Sequence, residues 1–348
     1  MKKAIKLISL LLAFSMIFAL AGCGKNPSDT NGTTAPSANE DNGNLKKITF
    51  ALDWTPNTNH TGLFVAKEKG YFKEAGLDVD IVFIDGETTA QLCAANKAQF
   101  AIECQDTMAP AFMTEEPVGI TAVAAILQHN TSGIISRKGD GITSPKGLEG
   151  KTYSTWDSPI ELAILKSLTE KESGDFSKVN LITNNITDEP GALDAKQTDA
   201  IWVFYGWGCI NAQIRNFDFD YFFIKDLNPV FDYYTPVIIA SNDFLKNDPE
   251  TAKAFLKAAK KGYEYAVKNP DESAEILINT DNTGSLRDSE ELVKQSQRWI
   301  SEQYIADAEK WGYIDPQRWD GFYDWLNDNG LTGKTIPHGT GFTNDYLE

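Results

Sequence analysis

Cysteine, histidine and arginine are all scarce in this chain of 348 residues. The four cysteines, Cys23, Cys93, Cys104 and Cys209, have no spacing that would hold a zinc ion. The three histidines, His60, His129 and His338, are too scattered to mark a metal cluster. There is no Gly-x-Ser-x-Gly elbow, no Walker loop and no glycine-rich dinucleotide fingerprint. These absences argue against the common routes to hydrolysis, phosphoryl transfer and hydride transfer, so neither an enzyme nor a cofactor or metal is expected. Beyond the first 23 residues no apolar run is long enough to span a membrane. Lysine and arginine number 32 against 49 acidic residues, a formal charge of −17. A surface of that sign repels nucleic acid and anionic headgroups, so no nucleic-acid partner is expected.

What is present begins with Lys2, Lys3 and Lys6, followed by an apolar run from Ile8 to Ala19 and then Leu20-Ala21-Gly22-Cys23. A charged start, a short apolar core and small residues before the cut predict a secretory signal over 1–22. Cys23 directly after Leu-Ala-Gly looks like a bacterial lipobox, which predicts cleavage before it and lipidation of its thiol. Losing the three lysines with the leader takes the net charge from −17 to −20. The stretch GKNPSDTNGTTAPSANEDNGN that follows has no large apolar residue. Residues 23–45 are therefore expected to be a flexible tether from a lipid anchor, outside the cytoplasm. The other three cysteines cannot all pair. Cys93 and Cys104 either bridge or remain buried thiols.

The remaining 300 or so residues suffice for two lobes or one large domain. Lys47–Trp54 alternates as a strand, Gly62–Ala75 has helical spacing, and Leu77–Ile84 is a second strand. A helix over Thr88–Asn96 and a strand over Gln99–Glu103 follow, and Asp106 is placed to cap a helix over 107–114. Strand and helix keep alternating through Ala200–Phe204 and a helix over 207–214, as in an α/β chain with parallel strands. After a strand over Pro236–Ala240 the chain turns helical, with starts near Pro249, 271, 288 and 316.

Four strand ends carry aromatic or amide-rich turns, and the carboxyl ends of strands are where open α/β sheets bind ligands. The first holds Trp54, Asn57 and His60, the second Gln105 and Asp106. The third holds Trp156, Asp157 and Ser158, the fourth Tyr205 and Trp207. Trp54, Trp156, Tyr205 and Trp207 offer flat faces for stacking, and the amides and carboxylates offer donors and acceptors. A turn or cap explains each of these residues singly as well; the set suggests a cleft. None of the five arginines falls in these turns. That pattern favours a neutral or cationic planar heterocycle over an anion.

The run LDWTPNTNHTGLFVAKEKGYFKEAGLDV from Leu52, with Asp157-Ser158-Pro159, Phe231-Asp232-Tyr233-Tyr234-Thr235-Pro236 and Gly341-Phe342-Thr343-Asn344, resembles the thiamine-pyrimidine-precursor (NMT/THI-like) family of ABC-transporter substrate-binding lipoproteins. The resemblance implies a type II periplasmic-binding-protein fold of α/β class. One lobe would span 46–132 plus 234–348 and the other 133–233, with a ligand cleft between them. It implies a monomer that captures a pyrimidine precursor and docks with a permease and an ATPase. Trp54 and Asn57 would hold the pyrimidine, with Tyr205 and Trp207 across the cleft. Two departures stand out. Close members tend to carry an acidic residue just after the aromatic pair, where this chain has Gly208-Cys209. Fungal relatives that synthesise the pyrimidine carry a Cys-rich iron-binding run, where this chain has Phe231–Tyr234. A pyrimidine-synthase-like enzyme, a ligand sensor, and a binder of riboflavin or a sulfonate are the alternatives.

Overall fold

The computed structural model describes residues 45–83, 87–184, 186–281 and 284–348. The expected leader, Cys23 and the tether up to residue 44 lie outside the described residues. Among the described residues ten strands form two five-stranded sheets. They are β1 (Lys46–Leu52), β2 (Leu77–Phe83), β3 (Phe100–Glu103), β4 (Ile120–Ala125), β5 (Ser132–Arg137), β6 (Thr152–Thr155), β7 (Asn180–Thr183), β8 (Ala200–Phe204), β9 (Phe219–Phe223) and β10 (Val237–Ser241). The first sheet has the order β2-β1-β3-β10-β4 and the second β7-β6-β8-β5-β9.

The strands are not all parallel, as the alternation of strand and helix had suggested. β10 runs antiparallel to both β3 and β4, and β5 antiparallel to both β8 and β9. The reason is topological. β5 and β10 are the strands entered from the other sheet rather than from a helix on their own, so the right-handed strand–helix–strand rule does not set their direction. β9 carries no signal that sequence reading picked up. It is an edge strand whose FDYFF sequence is only partly buried.

Several helix boundaries also move. The stretch 62–75 is two helices, Thr61–Glu68 and Tyr71–Glu74, interrupted at Lys69–Gly70. Asp106 does not cap a helix over 107–114. The helix there is Gln105–Met108, with Cys104 at its cap and Asp106 in its first turn. It starts early because Gln105 N–H donates to Tyr234 O (3.0 Å), a partner from the return crossover. The segment after β8 opens as a π-helical turn, Tyr205–Cys209, before the helix Ile210–Ile214.

The core of the first lobe is aromatic. Phe255, on the long helix Pro249–Lys268, stacks on Phe100 (4.0 Å between centroids), Phe72 (5.1 Å) and Phe50 (5.7 Å). All four rings are essentially inaccessible. The chain leaves this lobe after β4 and returns before β10, and the two crossings are bonded together. Asn130 N–H donates to Asp232 Oδ1 (2.9 Å), Asn130 Nδ2 to Phe231 O (3.0 Å), and His129 Nδ1 meets Asp232 Oδ2 (2.7 Å). Cys93, Cys104 and Cys209 are free thiols, and burial pushes each well above the ordinary thiol range. No helix among the described residues is long and apolar enough to cross a membrane.

Candidate ligand cleft

The four aromatic or amide-rich turns sit at the carboxyl ends of β1, β3, β6 and β8, two in each sheet. At the end of β1, Asn57 accepts from Asn59 N–H (2.9 Å) through Oδ1 and donates from Nδ2 to Thr55 O (3.1 Å). Its own N–H donates to His60 Nδ1 (3.3 Å), which leaves Nε2–H to donate to Asp53 Oδ1 (3.0 Å). This closed ring of bonds buries His60 completely and directs Trp54 outward, 54% exposed. His60 is thus turned inward, with Asp53 between it and the surface of the turn. The turn is anchored from below by the helix Glu290–Ser301. Ser296 Oγ meets Thr58 Oγ1 (2.7 Å), and Gln297 Oε1 accepts from Thr61 Oγ1 (2.5 Å).

At the end of β3, Gln105 is also turned inward. Its Nε2 donates to Trp319 O (2.7 Å), its Oε1 accepts from Tyr234 N–H (3.0 Å), and it has no exposed surface. Both ends of the amide are used, so Gln105 braces the crossover instead of offering hydrogen bonds to a ligand. Asp106 is half-buried, and desolvation, with Glu103 nearby, raises its carboxyl to about 6. Glu103 accepts from Thr89 Oγ1 (2.6 Å), from Thr107 Oγ1 and from Cys104 N–H (3.3 Å), while burial pushes its carboxyl up. Among the described residues no three His, Cys, Asp or Glu side chains gather as metal ligands would.

At the end of β6, Trp156 is 52% exposed, its ring 6.0 Å from that of Trp202. Asp157 is exposed and held at φ 62°, a left-handed conformation uncommon for a residue with a side chain. Ser158 opens the helix Pro159–Lys171 without a side-chain capping bond. Tyr233, on the return crossover, is buried, and desolvation raises its phenol well above the ordinary value.

The fourth turn differs from expectation. Tyr205 is packed among aromatics: Phe223 (5.5 Å), Tyr221 (5.4 Å) and, from the first lobe, Trp299 (5.0 Å). Its hydroxyl accepts from Gln213 Nε2 (3.0 Å). Trp207 is likewise half-buried and packs against the first lobe's core. The pair thus forms a seam between lobes, and of the aromatics in the four turns Trp54 and Trp156 are the exposed ones. Gly208 is there for a steric reason: a Cβ on it would lie 2.8 Å from Val203 Cβ, so an acidic side chain would not fit without moving the turn. A concavity of about 550 Å³ lies elsewhere, beside the crossovers, lined by Gln128, Tyr234, Tyr313 and Arg318 among others. Among its lining groups, Tyr234 Oη accepts from Asp315 N–H (2.8 Å) and Gln128 Nε2 donates to Tyr313 O (3.2 Å).

The family description NMT1/THI5-like matches residues 57–273. The chain belongs to the NMT1/THI5-like family. It is 31% identical to a formylaminopyrimidine-binding protein of Halalkalibacterium halodurans, over 93% of this chain and 94% of that one. It is 28% identical to a 4-amino-5-hydroxymethyl-2-methylpyrimidine phosphate synthase of Saccharomyces cerevisiae, over 64% of this chain and 68% of the relative. In architecture it is similar to a ligand-binding component of an ABC-type import system from Staphylococcus aureus, with a TM-score of 0.63 at 14% identity, covering 86% of this chain and 96% of that one. This NMT1/THI5-like chain therefore has the two-lobed α/β fold of the type II periplasmic binding proteins.

Two residues that shape the cleft escaped sequence reading. Glu161 had a signal, since Ser158-Pro159-Ile160-Glu161 has the spacing of a capping box. Trp299 had none: it is remote in sequence from every cleft turn, and only tertiary packing brings it to Tyr205.

Proposed function

We propose that this protein is the extracytoplasmic substrate-binding component of an ABC importer. In this reading it captures a small aromatic heterocycle, a thiamine pyrimidine precursor of the formylaminopyrimidine or hydroxymethylpyrimidine type. The observation that carries the proposal is the pair of open tryptophans, Trp54 and Trp156, at strand ends of the two sheets, set among Asp53, Asp106 and Asp157 with no arginine or lysine in the four turns. Stacking faces beside carboxylates suit a planar, amine-bearing ring. The likeness to a formylaminopyrimidine-binding protein over nearly the full length supports the same ligand class. Lobes at 46–132 plus 234–348 and at 133–233 would close on the ligand by a hinge at the paired crossovers and present a surface to a permease and its ATPase. A lipid on Cys23 would hold this monomer at the membrane.

Calorimetric titration with formylaminopyrimidine, hydroxymethylpyrimidine, thiamine and riboflavin tests the ligand, alongside mass analysis of small molecules extracted from fresh protein. Binding of a pyrimidine alone is expected. Binding of none of the four would end the pyrimidine claim. The likeness to a yeast synthase favours a second reading, an enzyme of pyrimidine synthesis. Against it, Phe231, Tyr233 and Tyr234 are buried aromatics of the crossover, where fungal relatives carry the Cys-rich run. Pyrimidine product formed by purified protein with pyridoxal phosphate and iron would establish that reading instead.

A further inference from the structure

Glu161 is a carboxylate with only 4% of its surface exposed, and no lysine or arginine among the described residues pairs with it. Burying such a group costs stability unless hydrogen bonds replace its water. Its donors all come from one short segment. Oε1 accepts from Tyr153 Oη (2.5 Å), while Oε2 accepts from Thr155 Oγ1 (2.8 Å) and from Trp156 N–H (3.1 Å). Thr155 Oγ1 in turn accepts from Asp157 N–H (2.8 Å), so the chain of bonds reaches the residue held at φ 62°. Every bond of Glu161 thus serves the turn that carries Trp156 and Asp157 into the open. A left-handed aspartate persists only where its surroundings impose that conformation.

We propose that Glu161 is the positioning residue of the second lobe's half of the cleft. It fixes the Trp156 face and the Asp157 carboxylate in place before a ligand arrives, so affinity depends on a side chain buried beneath the turn. The proposal rests on the reading that a planar ligand stacks at Trp156. Preorganisation of this kind raises affinity by removing the ordering cost from the binding step.

The test compares Glu161→Ala, Glu161→Gln and Glu161→Asp in the full chain, with formylaminopyrimidine as probe. Acrylamide quenching of Trp156 is read by difference against Trp156→Phe. Glu161→Ala is expected to weaken binding about tenfold or more and to make Trp156 more quenchable. Glu161→Gln is expected to stay within about threefold of the parent, because its Oε1 still accepts from Trp156 N–H and Thr155 while its amide donates to Tyr153 Oη. Glu161→Asp, one methylene short, should lose affinity while folding, which covers the case of an alanine variant that does not fold. Parent affinity in the alanine or aspartate variant overturns the proposal, as does a loss that leaves Trp156 quenching unchanged. If the parent itself binds no pyrimidine, the functional reading fails first. The positioning role is then read from quenching alone, and an unchanged signal in the alanine and aspartate variants overturns it.

Discussion

Gly206 offers the sharpest probe of lobe closure. It is the second residue of the π-helical turn after β8, and Trp299 of the first lobe lies directly over it. A Cβ there would come 2.9 Å from Trp299 Cζ3, 3.0 Å from Cε3 and 3.7 Å from Ile300 Cδ1. Carbon atoms rest at about 3.5–4.0 Å, so the two surfaces must part by roughly half an ångström to one ångström. Gly206 is not among the positive-φ residues, so alanine strains no backbone there, and the whole effect is the clash across the seam. Overpacking of this size costs about 1–3 kcal/mol. Because the cost falls on the arrangement in which the lobes touch, it should appear in ligand affinity, about 5- to 150-fold weaker at 1.4 kcal/mol per decade. The assay is calorimetric titration of Gly206→Ala, Trp299→Leu and the double variant. Shortening Trp299 should make room for the methyl group, so the two changes should be strongly non-additive. Parent-like affinity in Gly206→Ala, or simple additivity in the double variant, refutes the reasoning.

Phe255→Ala should cost about 3–5 kcal/mol in urea unfolding, since it deletes the ring on which Phe50, Phe72 and Phe100 stack; less than about 1 kcal/mol would mean the four-ring stack contributes little. His129 has Asp232 Oδ2 at Nδ1 (2.7 Å) and Asp307 Oδ1 at Nε2 (2.9 Å), with Arg318 opposing, and bonding to Asp232 raises its pKa above the ordinary histidine value. Only the imidazolium donates from both nitrogens, so its stabilisation should be complete below about pH 6.5 and be lost as pH rises through the raised folded-state value. His338, paired with Asp324, shifts in the same direction, so the readout is the parent's melting temperature minus that of His129→Gln across this window. The difference should shrink as pH rises, and a pH-independent difference would contradict the assignment.

The aromatics of the cleft divide by exposure. Trp54 and Trp156 are open, while Tyr205 and Trp207 are spent on the seam. The expected cross-cleft pair is thus half-buried and packed where the two lobes meet. Gly208 has a local cause, the close approach of Val203. If a carboxylate is needed for a ring amine, the acids available to supply it are those at the other strand ends: Asp53, Asp106 and Asp157.

The sequence alone determined where strands end and which turns follow them. Alternating apolar residues report one buried face, and Pro, Asn and Gly report where the pattern stops. The turns at Trp54, Gln105, Trp156 and Tyr205 were legible for that reason, as were most strands other than β9 and most C-terminal helices. What it could not determine was what each buried face is buried against. The antiparallel run of β5 and β10 depends on crossing between sheets, which periodicity does not record. The inward turn of His60 and Gln105 depends on Asp53, Trp319 and Tyr234, partners that only the folded chain supplies. The support that the helix Glu290–Ser301 gives to both the β1 turn and the β8 turn joins residues more than 90 positions apart. Local patterning thus placed the candidate residues at strand ends, while hydrogen bonds made in the folded chain decided which of their side chains turn inward and which stay exposed.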